Sequence, residues 1–258
     1  LLNIDGDAGT ILVGAGTGEG SLDFLSRDVT AFALELLPPE SGVLVVGAGG
    51  GKDILAARKA GATRVSAVEV NPLIEHTVND HYGDFTGRPY RLPGVRSVVA
   101  DARSFLATDT EHYDLVLLGL VDSWSATAAG AFFLTENHLY TTDAIGAYLD
   151  RLGADGVASI SRWYFESEPA ETLRVAVSAR VALEERGVAE PWRNVVVLGR
   201  PAPALRAGLG VGVTLIRKSP WSDGDLARIH GLARTRGVDV LYAPDSGTSP
   251  VFRRFLRA

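Results

Sequence analysis

Three carboxylates, Asp53, Glu69 and Asp101, follow a glycine run at Gly47, Gly49, Gly50 and Gly51 with spacings suited to holding a nucleoside. Glycine lets bare backbone approach a ligand and takes left-handed conformations at little steric cost. Glu69 follows the glycines at close to the roughly 20-residue interval at which an acid in a βαβ unit reaches ribose hydroxyls. Asp101 is placed to accept from an adenine amino group, or else to cap the helix that follows it. Val70, Ala102 and Gly119, next to these acids or at the end of a fourth strand, complete the positions expected to line a cofactor.

The elements that position these residues are legible as patterns. Val43–Val46 is a β-branched run of the kind buried in a parallel sheet, and the glycines follow it at once. A helix is predicted over Lys52–Lys59, then strands Val65–Val68, Ser97–Val99 and Asp114–Leu118. In a parallel sheet the residues at successive strand C-terminal ends line one crevice, so Asp53, Glu69 and Asp101 are expected to converge there. A second glycine-rich stretch, Gly14–Gly20, follows a short predicted strand Ile11–Val13, but no helix and acid-tipped strand succeed it, and it is expected to bind nothing.

The glycine pattern also selects among cofactors. A dinucleotide fingerprint reads G-x-G-x-x-G, whereas here Lys52 stands where the last glycine would permit close helix approach. Asp53 beside it would repel a diphosphate, although it suits the N-terminal end of a helix. S-adenosylmethionine carries a sulfonium, an ammonium and a ribose but no phosphate, and fits this acidic set.

The order VLVVGAGGGKD, VEVN, VVADARSFL, HYDLVLL and LTENHLYTTDAIGAYLDRLGADGVASISRW resembles the spermidine synthase family within the class I S-adenosylmethionine-dependent methyltransferase fold. The resemblance runs from LNIDGDAGT to about Trp163, with a looser match beyond. It implies an α/β, Rossmann-like, mostly parallel seven-stranded sheet with helices on both faces and a small N-terminal β element. It also implies S-adenosylmethionine or its decarboxylated form as cofactor. Family members that transfer aminopropyl groups carry a pair of acids after the fourth strand. Aligning YDLVLLGLVD on that pattern puts Gly119 at the first acid and Asp122 at the second; a longer strand would instead make Asp122 the leading acid, followed by Ser123.

Asp122 is therefore the candidate general base or substrate anchor, with Tyr140 and His138 the other candidates for the chemistry. Trp124 and Trp163 are candidates for an apolar substrate wall. His76, His81, His112 and His230 read as surface or helix residues, and no histidine pair has metal-ligand spacing with a third ligand, so no metal is expected. The Tyr-His pair with which the family holds its amine is missing from LDFLSRDVTAF, where Arg27 suggests a neutral or anionic substrate instead. Lys52 is expected to meet the carboxylate of intact S-adenosylmethionine. Methyl transfer to a small molecule is the leading expectation. The alternatives are aminopropyl transfer, a cofactor-assisted cyclisation or rearrangement, and a non-catalytic S-adenosylmethionine-binding domain.

Composition fits one α/β core: 258 residues, 46% hydrophobic, with a net charge of -6 that argues against general nucleic-acid binding. There is no cysteine to form a disulfide, no apolar run near the ~18 residues of a membrane span, and no signal peptide. A cytosolic cofactor suggests a cytoplasmic location, and a homodimer is left open. The absence of methionine implies a processed, truncated or partial chain. Residues 1–40 are expected to form a small β element and a helix Arg27–Leu37, and residues 41–258 the cofactor-binding domain. The remainder reads as helix Ala170–Arg186, strands Asn194–Leu198 and Gly212–Ile216, helix Asp223–Arg236 and strand Val238–Tyr242, the final pair antiparallel.

Overall fold

The computed structural model describes residues 2–4, 8–16, 22–121, 138–202 and 208–258. A two-stranded antiparallel ribbon, β1 (Leu2–Ile4) and β2 (Ala8–Thr10), leads into two 3-10 segments, Asp23–Arg27 and Val29–Leu36. The main unit then alternates strand and helix: β3 (Gly42–Val46), α1 (Lys52–Lys59), β4 (Arg64–Glu69), α2 (Pro72–His76), α3 (Gly83–Thr86), β5 (Val95–Val99), α4 (Ala102–Thr108) and β6 (Tyr113–Leu118). After residue 137 come α5 (Thr142–Asp150), β7 (Leu152–Phe165), α6 (Ala170–Glu184), β8 (Val195–Pro201), β9 (Leu209–Arg217), α7 (Asp223–Arg236), β10 (Asp239–Tyr242) and α8 (Pro250–Leu256).

The sheet runs in the order β10-β8-β9-β7-β6-β3-β4-β5. From β3 the chain moves outward to β4 and β5, then returns to lay β6 on the other side of β3, and these three pairings, like β6–β7, are parallel. That reversal is the switch point at which α/β sheets open a ligand crevice beyond the strand C-termini. The strand composition follows from burial on both faces: Leu44, Val46, Val116 and Leu118 pack with α5 and α6, while Val43, Val45, Leu115 and Leu117 face α1 and the 3-10 segments.

Four expectations need correction. The sheet has eight strands, not seven, because β10 adds antiparallel to the outer side of β8. Strands β7, β9, β8 and β10 are antiparallel in succession, so reversal of direction extends beyond a final pair. The helix expected at Arg27–Leu37 is instead the two 3-10 segments, interrupted at Asp28. Asp28 holds an extended backbone, and its carboxylate accepts from the Thr30 amide at 3.0 Å, starting a new segment where a helix would have continued. Among the described residues Ile11–Val13 pairs with no strand. Elsewhere the local signals hold: α1 and α7 span the predicted residues, and α7 is bounded by a Ser222–Asp225 capping box and Gly237 in the left-handed conformation.

The N-terminal segments pack directly on the glycine turn and α1. Leu25, Phe32 and Leu34 share a buried cluster with Val43, Ile54 and Ala57, and Lys59 Nζ pairs with Asp23 at 2.5 Å.

Candidate functional site

The glycine turn hangs from the end of β4. The amides of Gly47 and Ala48 both donate to the Val68 carbonyl, at 2.9 and 3.1 Å. Gly47, Gly49 and Gly51 take φ values of +67°, +51° and +83°, conformations that a side chain would strain. Space is equally restrictive at Gly50: a Cβ there would lie 2.2 Å from the Ile11 carbonyl oxygen, so the segment after β2 sits against the turn. The Gly50 amide donates to Thr10 Oγ1 at 2.8 Å, and the Tyr90 hydroxyl donates to the Gly49 carbonyl at 2.6 Å. Burial, with the Glu69 and Glu75 carboxylates nearby, pushes the Tyr90 hydroxyl far above the usual tyrosine range, which keeps it neutral and donating. Thr10 and Tyr90 carried no sequence signal, since both reach the turn from about forty residues away.

Glu69 is 5% exposed at the tip of β4. One carboxylate oxygen accepts the Gly49 amide and the other the Asn71 amide, each at 2.9 Å. A carboxylate offers about four lone-pair sites, so each oxygen keeps one for a diol. Val70 beside it is 66% exposed, and Leu73 and Val99 are also exposed, giving an apolar margin on the β4–β5 side. Asp101 caps α4 by accepting from the Ser104 amide at 2.9 Å, and its other oxygen meets His138 Nε2 at 3.2 Å. Partial burial opposes its charge, but the Ser104 amide and His138 outweigh that and hold its carboxyl below the usual aspartate range. Ala102, the first residue of α4, is buried beside it. Capping and facing the crevice are thus compatible roles for Asp101.

Asp53 and Gly119 come together. Asp53 stands in the first turn of α1, 7% exposed, and a Cβ on Gly119 would lie 2.4 Å from its Oδ2. Lys52 Nζ turns away from the glycines to bond Asp28 at 2.7 Å and Thr30 Oγ1 at 3.1 Å, with Asp53 Oδ1 at 3.6 Å. Burial works against both charges of the Lys52–Asp28 pair. The carboxylates nonetheless hold Lys52 above its ordinary pKa, and Lys52 with the Thr30 bonds holds Asp28 below its own.

Replacing Lys52 by Met should lower unfolding stability by about 1–3 kcal/mol, measured from denaturant midpoints. The deficit should be greatest near neutral pH. Asp28 has a depressed folded pKa, so its contribution is complete above 3.8 and disappears as pH falls through the lower folded value. Lys52 has a raised one, so its contribution is complete below 10.5 and disappears as pH rises through the higher folded value.

Of the remaining candidates, Asp122 and Trp124 lie outside the described residues, as do residues 17–20 of the second glycine stretch. Tyr140 is 5% exposed with the Arg162 guanidinium 4.1 Å over its ring, and Arg162 also pairs with Glu171. Tyr140 thus packs against Arg162 of β7. Trp163 is half-buried on β7. His76, His81 and His112 are exposed; His230, half-buried on α7, meets Asp245 at 3.1 Å. Arg27 is exposed and immediately precedes Asp28, the partner of Lys52. Among the described residues no group of three acids and histidines is arranged to hold a metal ion, and no helix is long and apolar enough to cross a membrane.

No family model matches the chain. A polyamine aminopropyltransferase of Korarchaeum cryptofilum (strain OPF8) is 30% identical over 91 residues, 35% of this chain and 28% of that protein. The chain therefore spans under a third of the curated relative it matches. Among solved structures, a probable spermidine synthase from Corynebacterium glutamicum ATCC 13032 aligns with a TM-score of 0.58 at 13% identity, covering 93% of this chain and 78% of that one. The spermidine synthase from Thermotoga maritima aligns with a TM-score of 0.55 at 16% identity, covering 79% and 62%. The fold is Rossmann-like and spermidine synthase-like, with an eighth strand on the sheet.

Proposed function

We propose that this chain binds an S-adenosylmethionine-type cofactor in the crevice between β3 and β6 and acts as a transferase toward a small molecule. The observation that carries this reading is the Glu69 carboxylate, held at the tip of β4 by the Gly49 and Asn71 amides with acceptor capacity remaining for a ribose diol. Gly47, Gly49, Gly50 and Gly51 would bring bare backbone to the cofactor, Val70 and Ala102 would flank the base, and Asp101 would accept its amino group. Lys52 is committed to Asp28 and offers nothing to a diphosphate, which favours a cofactor without one. The cofactor supplies an alkyl carbon activated by a cationic sulfur; the protein's part is to align an acceptor with it.

Methyl transfer is the first reading, because the segment around Arg27 lacks the amine-holding Tyr-His pair and Gly119 bears no acid. The same Lys52–Asp28 pair withdraws the lysine from a cofactor carboxylate, so Lys52 no longer argues for the intact form. Aminopropyl transfer is the second reading, favoured by the sequence similarity to an aminopropyltransferase.

The test is calorimetric titration with S-adenosylmethionine, its decarboxylated form, methylthioadenosine and NAD. Micromolar binding of methylthioadenosine and of one sulfonium form is expected. Preference for the decarboxylated form would move the reaction to aminopropyl transfer, and binding of NAD alone would overturn the cofactor assignment.

A further inference from the structure

The glycines that give the turn its shape also leave it free to rotate, since Gly47, Gly49 and Gly51 hold positive φ and a glycine backbone turns as readily the other way. Groups outside the turn must therefore fix it. The peptide unit between Gly49 and Gly50 is held at both of its ends by side chains from distant segments. Its carbonyl accepts from the Tyr90 hydroxyl at 2.6 Å, and its N–H donates to Thr10 Oγ1 at 2.8 Å. In a planar trans peptide the C=O and N–H point opposite ways, so the two side chains grip one rigid plane from opposite edges. The amide on the other side of Gly49 donates to Glu69 Oε2 at 2.9 Å. Gly49 thus stands between the gripped peptide and the carboxylate that would meet the ribose, and rotation of that peptide would move the donor that orients Glu69.

Both grips are themselves anchored. Tyr90 is 2% exposed in the 3-10 segment Pro89–Arg91, and Pro89 packs so closely on the turn that a Cβ on Gly51 would lie 2.4 Å from its Cγ. To carry Pro89 and Tyr90 back onto the turn, Arg88 takes φ +54°, in the left-handed region that a non-glycine residue seldom occupies. The Asp84 carboxylate pairs with the Arg88 guanidinium at 2.7 Å. Such strained backbone persists where its surroundings over-determine it, and it clusters at ligand clamps. Thr10 ends β2, and its Oγ1 lies 2.8 Å from where a Cβ on Gly49 would stand. The chain after Thr10 then joins the segment that precedes Tyr90, where the Ala15 amide donates to the Phe85 carbonyl at 2.8 Å.

We infer that Thr10 and Tyr90 are positioning residues for the cofactor: by gripping the Gly49–Gly50 peptide from opposite edges they hold the Gly49 amide where it orients Glu69 toward the ribose. The N-terminal ribbon is thereby part of the cofactor cradle. The inference rests on the transferase reading for the identity of the ligand; the clamp itself stands on the two bonds to the peptide.

The experiment joins amide hydrogen exchange of the full chain, measured without ligand, to titration with methylthioadenosine and adenine. Tyr90→Phe and Thr10→Val each remove one hydroxyl at nearly constant volume, and either serves if the other does not fold. Exchange of the Gly50 amide should quicken at least about tenfold in Tyr90→Phe, although Tyr90 does not bond that amide, because both grips act on one plane. Methylthioadenosine should bind about fivefold or more weakly to either variant, and adenine within about twofold of wild type. The double variant should lose no more than about the weaker-binding single one, since one lost grip already frees the peptide. Thr10→Ser keeps the hydroxyl and should stay within about twofold of wild type. Unchanged Gly50 exchange in Tyr90→Phe, or unchanged methylthioadenosine affinity in both single variants, would overturn the clamp. Equal losses for adenine and methylthioadenosine would overturn it too, because they would report collapse of the turn and not the aim of Glu69. A wild-type chain that binds neither ligand would overturn the cofactor reading and the positioning role with it, whereas normal binding with unchanged exchange overturns the clamp alone.

Discussion

Glu69→Ala should lower affinity for methylthioadenosine by at least about a hundredfold, the effect of two lost charge-assisted hydrogen bonds to a ribose diol. The variant also removes the acceptor of the Gly49 and Asn71 amides. Leaving two amides near the turn without partners should cost about 1–3 kcal/mol of stability, read from denaturant unfolding. These two consequences separate with adenine as a second ligand. Loss of ribose contacts alone leaves adenine affinity unchanged, whereas collapse of the turn lowers it as well. Glu69→Gln keeps one accepting oxygen but presents an amide group where the second backbone N–H points, so an intermediate loss of about tenfold is expected. Calorimetry on the three proteins decides it. Unchanged methylthioadenosine affinity in Glu69→Ala would remove the ground on which the cofactor assignment stands.

What the sequence made legible is what local chemistry decides. The buried β-branched run, the glycines and the helix after them lie next to one another in the chain, so β3, the turn and α1 occur where their patterns put them. Glu69 and Asp101 were readable because Glu69 ends β4 and Asp101 follows β5 by two residues, and the ends of parallel strands converge by geometry. Long-range pairing was less visible. The place of β10 outside β8 depends on partners rather than on its own residues. The break at Asp28 follows from a carboxylate that answers both the Thr30 amide and Lys52, and neither bond is encoded in helical periodicity. Thr10 and Tyr90 hold the turn from distant segments. Asp53 was recognised as an acid at the crevice, but its match with Gly119 needs the packing of α1 against the end of β6.

That match leads to the second large effect, at Gly119. Its φ lies outside the left-handed region, so its backbone would accept a side chain; what excludes one is Asp53 Oδ2, 2.4 Å from where Cβ would stand. Asp53 has little room to retreat, with Oδ1 against Lys52 and the residue 93% buried by its 7% exposure. Gly119→Ala should therefore displace the Asp53 carboxylate, lowering stability by about 1–3 kcal/mol, read from denaturant unfolding. In an Asp53→Ala background the same change should cost almost nothing, because the two residues compete for one space and a double-mutant cycle measures that competition. The combination Asp53→Ala with Gly119→Asp places the carboxylate at the end of β6 while keeping the total charge. Stability recovered to within about 1 kcal/mol of wild type would mean that the Lys52 cluster needs a carboxylate in that volume, whichever element supplies it. Stability in the exchanged protein as low as in Asp53→Ala alone would mean that only an acid carried by α1 can balance Lys52 beside Asp28.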